Sequence, residues 1–144
     1  MLKTIDLTKK YGTQVALDKL NLTVQPGEVF CLLGANGAGK TTTINLFMDF
    51  IQPTSGQVFI NEMEVSEFGS ATKRHLAYIP ENLNLYGNLS GLENLQFFAG
   101  LGGEKLDKGT ATQLLQSVGL ESKPINKRVN QYSKGMRQKV GIEL

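Results

Sequence analysis

Three observations predict an α/β fold built around a phosphate-binding loop. Gly34-Ala35-Asn36-Gly37-Ala38-Gly39-Lys40-Thr41 satisfies G-x-x-x-x-G-K-[ST] without a mismatch. Directly before it, Val29-Phe30-Cys31-Leu32-Leu33 is apolar with no polar alternation, as expected of a central parallel strand buried on both faces. Directly after it, a helical pattern runs from Lys40 to about Ile51, where Pro53 and Gly56 end it.

The remaining elements follow in chain order. Leu20, Leu22 and Val24 alternate with polar residues, the period of a half-buried strand, and Gln25-Pro26-Gly27 turns the chain. Gln57-Val58-Phe59-Ile60 is short and β-rich, with Asn61-Glu62 as a hairpin turn. Leu76-Ala77-Tyr78-Ile79 is a further strand, closed by Pro80. Beyond it the pattern becomes helical. Ser90-Gly91-Leu92-Glu93 fits a capping box, with Leu92, Leu95, Phe98 and Ala99 at helical spacing and Gly102-Gly103 as the stop. Leu114, Leu115 and Val118 mark a second helix, stopped by Gly119, and a third begins near Ser133 with Met136, Val140 and Leu144 on one stripe.

Composition narrows the function classes. The 144 residues are 40% hydrophobic and 19% charged, which excludes a disordered chain. A net charge of +2 gives no bulk attraction to nucleic acid or membrane. The single cysteine, Cys31, excludes a disulfide framework and favours a reducing compartment. No apolar run approaches the roughly 20 residues that span a bilayer, and the first residues lack the apolar stretch of a secretion signal.

The loop motif has a reason for each residue type. Its glycines let the backbone turn tightly enough to aim successive N–H groups at phosphate oxygens. The start of the following helix adds unpaired donors and the positive end of its dipole. Lys40 supplies a full charge for the β- and γ-phosphates, and the Thr41 hydroxyl can coordinate Mg²⁺. The hydroxyls of Thr42 and Thr43 either help to hold phosphate or only populate the first helical turn. Two kinds of phosphate-loop protein fit poorly. A GTPase needs D-x-x-G, and none of Asp6, Asp18, Asp49 or Asp107 has Gly three positions on; Asn126-Lys127 begins N-K-x-D, but Val129 fills the Asp place. A small-molecule kinase closes an arginine-rich lid, and only Arg74, Arg128 and Arg137 are present.

The other motifs resemble those of the nucleotide-binding subunits of ABC transporters, over essentially the whole chain. Tyr11, in Lys10-Tyr11-Gly12, occupies the place where that family stacks an aromatic on adenine, and Val15 falls beside the same ring. In Tyr78-Ile79-Pro80-Glu81-Asn82, Glu81 stands where the family carries a Gln that meets Mg²⁺ and the attacking water. The family signature, usually Leu-Ser-Gly-Gly-Gln, corresponds to Tyr132-Ser133-Lys134-Gly135-Met136, which retains Ser133 and Gly135 and differs at the other three places.

The resemblance implies a P-loop NTPase of the ABC ATPase type: an antiparallel β subdomain, a partial RecA-like core and a helical subdomain, incomplete at the C-terminus. It divides residues 1–81, the β subdomain and phosphate-loop core, from residues 82–144, the helical subdomain and signature helix. ATP and Mg²⁺ are the implied ligands. Asn36, Gly37, Ala38, Gly39, Lys40, Thr41 and Thr42 would hold the phosphates, Tyr11 and Val15 the base, Thr41 and Glu81 the metal, and Lys40 and Glu81 would be catalytic. Ser133 and Gly135 would close on ATP held by a second ATP-binding subunit in a head-to-tail dimer. A membrane-embedded permease is the other implied partner, placing the protein on the cytoplasmic face of the membrane. Leu83, Leu85 and Tyr86, with Phe97-Phe98, would receive a short helix from it and be partly exposed without it.

The divergent signature and the Pro80-Glu81 variant resemble the export-type branch. A non-transport ABC ATPase acting on ribosomes or DNA is the alternative, as is a catalytically dead truncated or regulatory product. The apolar stretch after Glu81 favours transport. The basic run from Lys123 to Lys139 is read as a phosphate-facing helix start plus a solvated face, with no direct nucleic acid expected, and His75 as structural or exposed. No strand of four apolar residues ending in Asp, no following catalytic Glu and no switch His lies between the signature and Leu144. The 144 residues alone are therefore expected to bind ATP weakly and not to turn it over, and to expose apolar sheet edges around Val29–Leu33.

Overall fold

The computed structural model describes residues 1–80 and 82–143. It comprises two compact units, Met1–Ala77 and Tyr78–Leu144, each considered by itself.

In the first unit, β1 (Leu2–Tyr11) and β2 (Gln14–Val24) form a long antiparallel hairpin turned at Gly12. β1 pairs on its other edge with β3 (Ser55–Ile60), which pairs with the two-residue β4 (Met63–Glu64), giving the order β2-β1-β3-β4. The β3–β4 turn is the expected Asn61-Glu62, with φ of 48° and 69°, the positive pair that matches the twist of a hairpin. β1 bulges at Asp6 (φ 44°): its backbone N–H donates to Asn21 Oδ1 at 2.9 Å, and Asn21 Nδ2 returns a bond to Asp6 Oδ1 at 2.9 Å. The core lies between the sheet and α1 (Lys40–Phe47), where Leu46 and Phe47 pack with Leu7, Leu17, Val58, Ile60 and Val65.

Helix α1 stops at Phe47, four residues short of the sequence expectation. Asp49 adopts φ 56°, its N–H donates to Leu46 O, and the Phe50 N–H donates to Asn45 O at 2.9 Å. This is a left-handed helix stop made by Asp rather than Gly, so the sequence carries no glycine to announce it. α2 (Val65–Lys73), which buries Val65 and Thr72, completes the unit and kinks at Phe68.

The expected strands Val29–Leu33 and Leu76–Ile79 are not formed. Residues 28–35 and 76–80 belong to no strand, and Val29 is 97% and Leu33 84% exposed. Apolar side chains give a strand its preference, but the ladder needs a neighbour on each edge, and no described strand pairs with either segment.

The second unit is helical: α3 (Gly91–Leu101), α4 (Lys108–Ser117), the short α5 (Ser122–Ile125), a 3₁₀ turn at Val129–Gln131, and α6 (Lys134–Ile142). Leu92, Leu95, Ala111, Leu115, Leu120, Ile125, Val129, Tyr132 and Val140 form its core. Phe98, expected there, instead stacks with Tyr86 and Phe97. Leu144, expected on the α6 stripe, lies outside the described residues. The predicted capping box is present: Ser90 Oγ accepts from the Glu93 N–H, and the Ser90 N–H donates to Glu93 Oε2 at 2.7 Å. The Ser90 amide, and then its hydroxyl, hold the Glu93 carboxyl below its ordinary range. Asn94, fully buried, accepts from the Tyr86 N–H at 2.7 Å and donates to Tyr86 O and Ser90 O. Burial pushes the Tyr132 hydroxyl above the usual tyrosine range, and that hydroxyl donates to Pro124 O at 2.6 Å.

Two outcomes follow from these contacts. Asn94→Ala strands the Tyr86 N–H, while Tyr86 O keeps its bond from the Leu89 N–H, and should lower the unfolding free energy of this unit by about 1–3 kcal/mol, read from urea midpoints. A carboxyl whose folded pKa is depressed stabilises above its unfolded value and loses that contribution as pH falls through the folded value. Glu93→Gln should therefore flatten the stability loss seen in urea titrations below about pH 4.5.

Candidate functional site

The phosphate-loop sequence forms an exposed turn that leads into α1. Ala38 N–H donates to Ala35 O at 3.1 Å, and Gly37 and Gly39 take φ of 86° and 83°. Gly39 is the N-cap of α1 and is buried, with no side-chain cap to satisfy the first amides of the helix. A Cβ at Gly39 would lie 2.6 Å from Ala16 O and 2.6 Å from Leu17 Cδ2, so the loop is seated directly on β2. At Gly37 a Cβ would meet nothing within 4 Å. Only backbone conformation requires that glycine, whereas Gly39 is required by conformation and space together.

Lys40 is half-buried, and its Nζ donates to Gly34 O at 2.6 Å and Ala35 O at 2.8 Å. The ammonium is thereby held inside the turn by carbonyls of the loop itself. Thr41 is exposed on the first turn of α1, and Thr42 is half-buried. Thr43 has a structural role: its hydroxyl is buried and donates to Gly39 O at 3.0 Å. The first turn of α1 contains no acidic residue, so nothing in it opposes an anion at the exposed amides. Asn36, Gly37 and Ala38 are exposed around the same turn.

Tyr11 and Val15 lie at the turn end of the β1–β2 hairpin, in the adjacent pairs Tyr11↔Gln14 and Lys10↔Val15. They are 48% and 50% exposed. Lys9 Nζ sits 5.2 Å from the Tyr11 ring centroid and donates to Gln52 O. Because Gly39 rests on Ala16, the residue after Val15, this end of the hairpin and the start of α1 adjoin. The structure therefore brings Tyr11, Val15 and Asn36–Thr42 into one region of the first unit. Glu81 lies outside the described residues.

In the second unit, Ser133 is the N-cap of α6, and its Oγ accepts from the Met136 N–H at 3.2 Å. Ser133 and Gly135 are both exposed. Part of the basic run is structural: Arg137 Nη1 donates to Tyr132 O at 2.7 Å and Lys139 Nζ to Gly119 O at 2.6 Å. His75 is exposed. Tyr86 and Phe97 are 49% and 41% exposed and meet edge to face at 4.9 Å, while Leu83 and Leu85 are half-buried. Leu85 packs on the helical core. Sequence reasoning missed the carbonyls that hold Lys40 and the seat at Ala16, because backbone atoms leave no signature in residue identity. It also missed Asn94, whose signal was a polar residue between Leu92 and Leu95 on an apolar helix.

For Mg²⁺, the described residues offer a hydroxyl at Thr41 and no cluster of three or more His, Cys, Asp or Glu. A hydroxyl is a hard oxygen donor that suits a cation otherwise held by phosphate and water, so the residues fit that mode. Among the described residues no helix is long and apolar enough to cross a membrane.

The sequence model described as ABC transporter matches residues 17–143. The chain is 39% identical over 142 residues to the bacitracin transport ATP-binding protein BcrA of Bacillus licheniformis, covering 99% of this chain and 46% of that protein. It is 36% identical over 157 residues to the phosphonates import ATP-binding protein PhnC of Lactiplantibacillus plantarum, covering 99% of this chain and 61% of that protein. Among solved structures it is similar to the dimeric post-hydrolysis state of the ATP-binding cassette MJ0796 bound to ADP and Pi. That match has a TM-score of 0.80 at 26% identity and covers 99% of this chain and 68% of the other. The chain thus spans about half the length of curated relatives it matches.

The two glycines should separate by substitution. Gly39→Ala is expected to lose about 2–4 kcal/mol of unfolding free energy, from the left-handed backbone and the collision with Ala16 and Leu17 together. Gly37→Ala should lose only about 1–2 kcal/mol. Urea unfolding of the two variants side by side measures the difference.

Proposed function

The chain belongs to the ABC transporter family, and from that premise we propose that it binds ATP as part of a transporter's ATP-binding subunit, coupling ATP binding and hydrolysis to export through a separate permease. The observation that carries this reading is the seat of Gly39 on β2. It seats the left-handed turn that carries Lys40 against the hairpin that carries Tyr11. In this reading Tyr11 stacks on the adenine with Val15 beside it, and the amides from Asn36 to Thr42 surround the phosphates. Lys40 neutralises charge on the transferring phosphoryl group. Thr41 and Glu81 would hold Mg²⁺, which supplies further charge neutralisation at the phosphates when bound.

Ser133 and Gly135, exposed at the start of α6, would complete the nucleotide site of a second ATP-binding subunit in a head-to-tail dimer. Exposed Tyr86 and Phe97 support a permease contact on the second unit, which would hold the protein at the cytoplasmic face of the membrane. The export direction rests on the Tyr132–Met136 variant of the signature and on Pro80-Glu81. We assign the nucleotide-gripping part of the domain to residues 1–81 and the helical part to residues 82–144. These 144 residues contain no apolar strand ending in Asp after the signature, so they are proposed to bind nucleotide without turning it over.

Fluorescent ATP-analogue anisotropy with Mg²⁺ tests the reading. Lys40→Ala should weaken binding by about tenfold or more, since it removes a charge-assisted contact to phosphate. Equal binding by the two proteins would overturn the site. Phosphate release by the 144 residues above the Lys40→Ala background would overturn the absence of turnover.

A further inference from the structure

The signature stretch has a second face. Lys134, which stands where the family usually carries Gly, lines an open groove of about 380 Å³ with Asn82, Leu83, Asn84, Arg137 and Gln138. Ser133 and Gly135 do not line it, so the groove is separate from the surface proposed for nucleotide. Its lining has a definite chemistry. It contains two cations and three carboxamides, and none of these described residues is acidic. Lys134 is exposed, and its side chain has no hydrogen bond or ion pair among the described residues. Arg137 uses Nη1 on Tyr132 O and keeps its other guanidinium N–H groups for a ligand.

We propose that this groove is a docking site for an acidic peptide segment of a partner protein. Carboxylates of the segment would pair with Lys134 and the Arg137 fork. Carboxamides both donate and accept, so Asn82, Asn84 and Gln138 match the N–H and C=O of a peptide backbone. Inorganic phosphate at neutral pH carries one or two O–H donors, too few to match three carboxamide oxygens. Leu83 supplies an apolar wall beside them, and the groove has the volume of a ligand pocket rather than of a single ion. None of these residues is assigned to ATP, and only Leu83 is shared with the stretch expected to receive a permease helix, so the proposal stands apart from the nucleotide reading.

Nuclear magnetic resonance titration of the 144-residue chain at fixed ionic strength tests the proposal. The probes are a blocked hexapeptide with three glutamates and one leucine, its glutamine counterpart, and inorganic phosphate. The acidic peptide should shift the resonances of Asn82, Asn84, Lys134, Arg137 and Gln138 saturably, with the glutamine peptide about tenfold weaker. Lys134→Gln should weaken the acidic peptide about fivefold, as loss of one exposed ion pair does. Its unchanged resonances elsewhere would show an intact fold. Should that variant misfold, Lys134→Gly, the usual residue of the family, serves for the same comparison. Equal binding of the glutamine peptide, the same shifts with phosphate alone, shifts outside the groove, or no saturable shift would each overturn the proposal.

Discussion

The close approach of Gly39 to β2 is the contact on which the first unit's functional geometry depends. A Cβ there has no room, 2.6 Å from both a carbonyl oxygen and a methyl group, and the backbone is left-handed besides. That single position joins the hairpin carrying Tyr11 and Val15 to the turn carrying Lys40. The antiparallel sheet supplies the rigid base: β1 is paired on both edges, and Thr4 bridges it to β2 by donating to Leu20 O and accepting from the Leu22 N–H. Buried Leu46 and Phe47 then hold α1 down on the sheet. Phosphate-loop placement thus derives from the antiparallel part of the fold, even though the apolar segment before the loop forms no strand.

The second unit solves a different problem, that of fixing an irregular segment against helices. The stretch before α3 has no ladder of its own. Its backbone groups are taken up by Asn94 and by the strand-like approach of residues 87–90 to 128–130. There the Val129 N–H donates to Leu89 O and the Asn130 N–H to Gly87 O. A polar side chain at zero exposure is tolerable because every hydrogen-bonding atom it has is engaged or adjacent to a partner. Tyr86 is anchored through its backbone, which leaves its ring free to remain at the surface with Phe97.

The sequence was most legible where local chemistry alone decides the outcome. The phosphate-loop glycines, the Ser90–Glu93 capping box and the Asn61-Glu62 turn are short-range devices, and each occurs where the pattern placed it. It was least legible where structure depends on a distant partner. Val29–Leu33 and Leu76–Ile79 have the composition of buried strands, yet a strand is a property of a pair, and neither segment is paired among the described residues. The end of α1 shows a third kind of miss. Asp49 takes the left-handed position that glycine usually fills, and its carboxylate accepts from Gln52 Nε2 at 2.6 Å, with Lys73 Nζ 3.9 Å away. Local side-chain bonds make that conformation tolerable for Asp, and no pattern of apolar residues reports them.

The Lys40 contacts also bear on how the turn discriminates among ligands. Two neutral carbonyls satisfy the ammonium at 2.6 and 2.8 Å, so any ligand must offer more than a neutral acceptor to draw it away. A polyanion does so, because attraction between full charges exceeds attraction between a charge and a carbonyl dipole. Release of Lys40 also frees Gly34 O and Ala35 O, which the turn must return to water; both residues are exposed, so that exchange is cheap. Moving Lys40 from these carbonyls to a phosphate chain would break no bond of the sheet or of α1. In the proposed reading, a preference for anions would follow from this exchange as much as from the amides of the helix start.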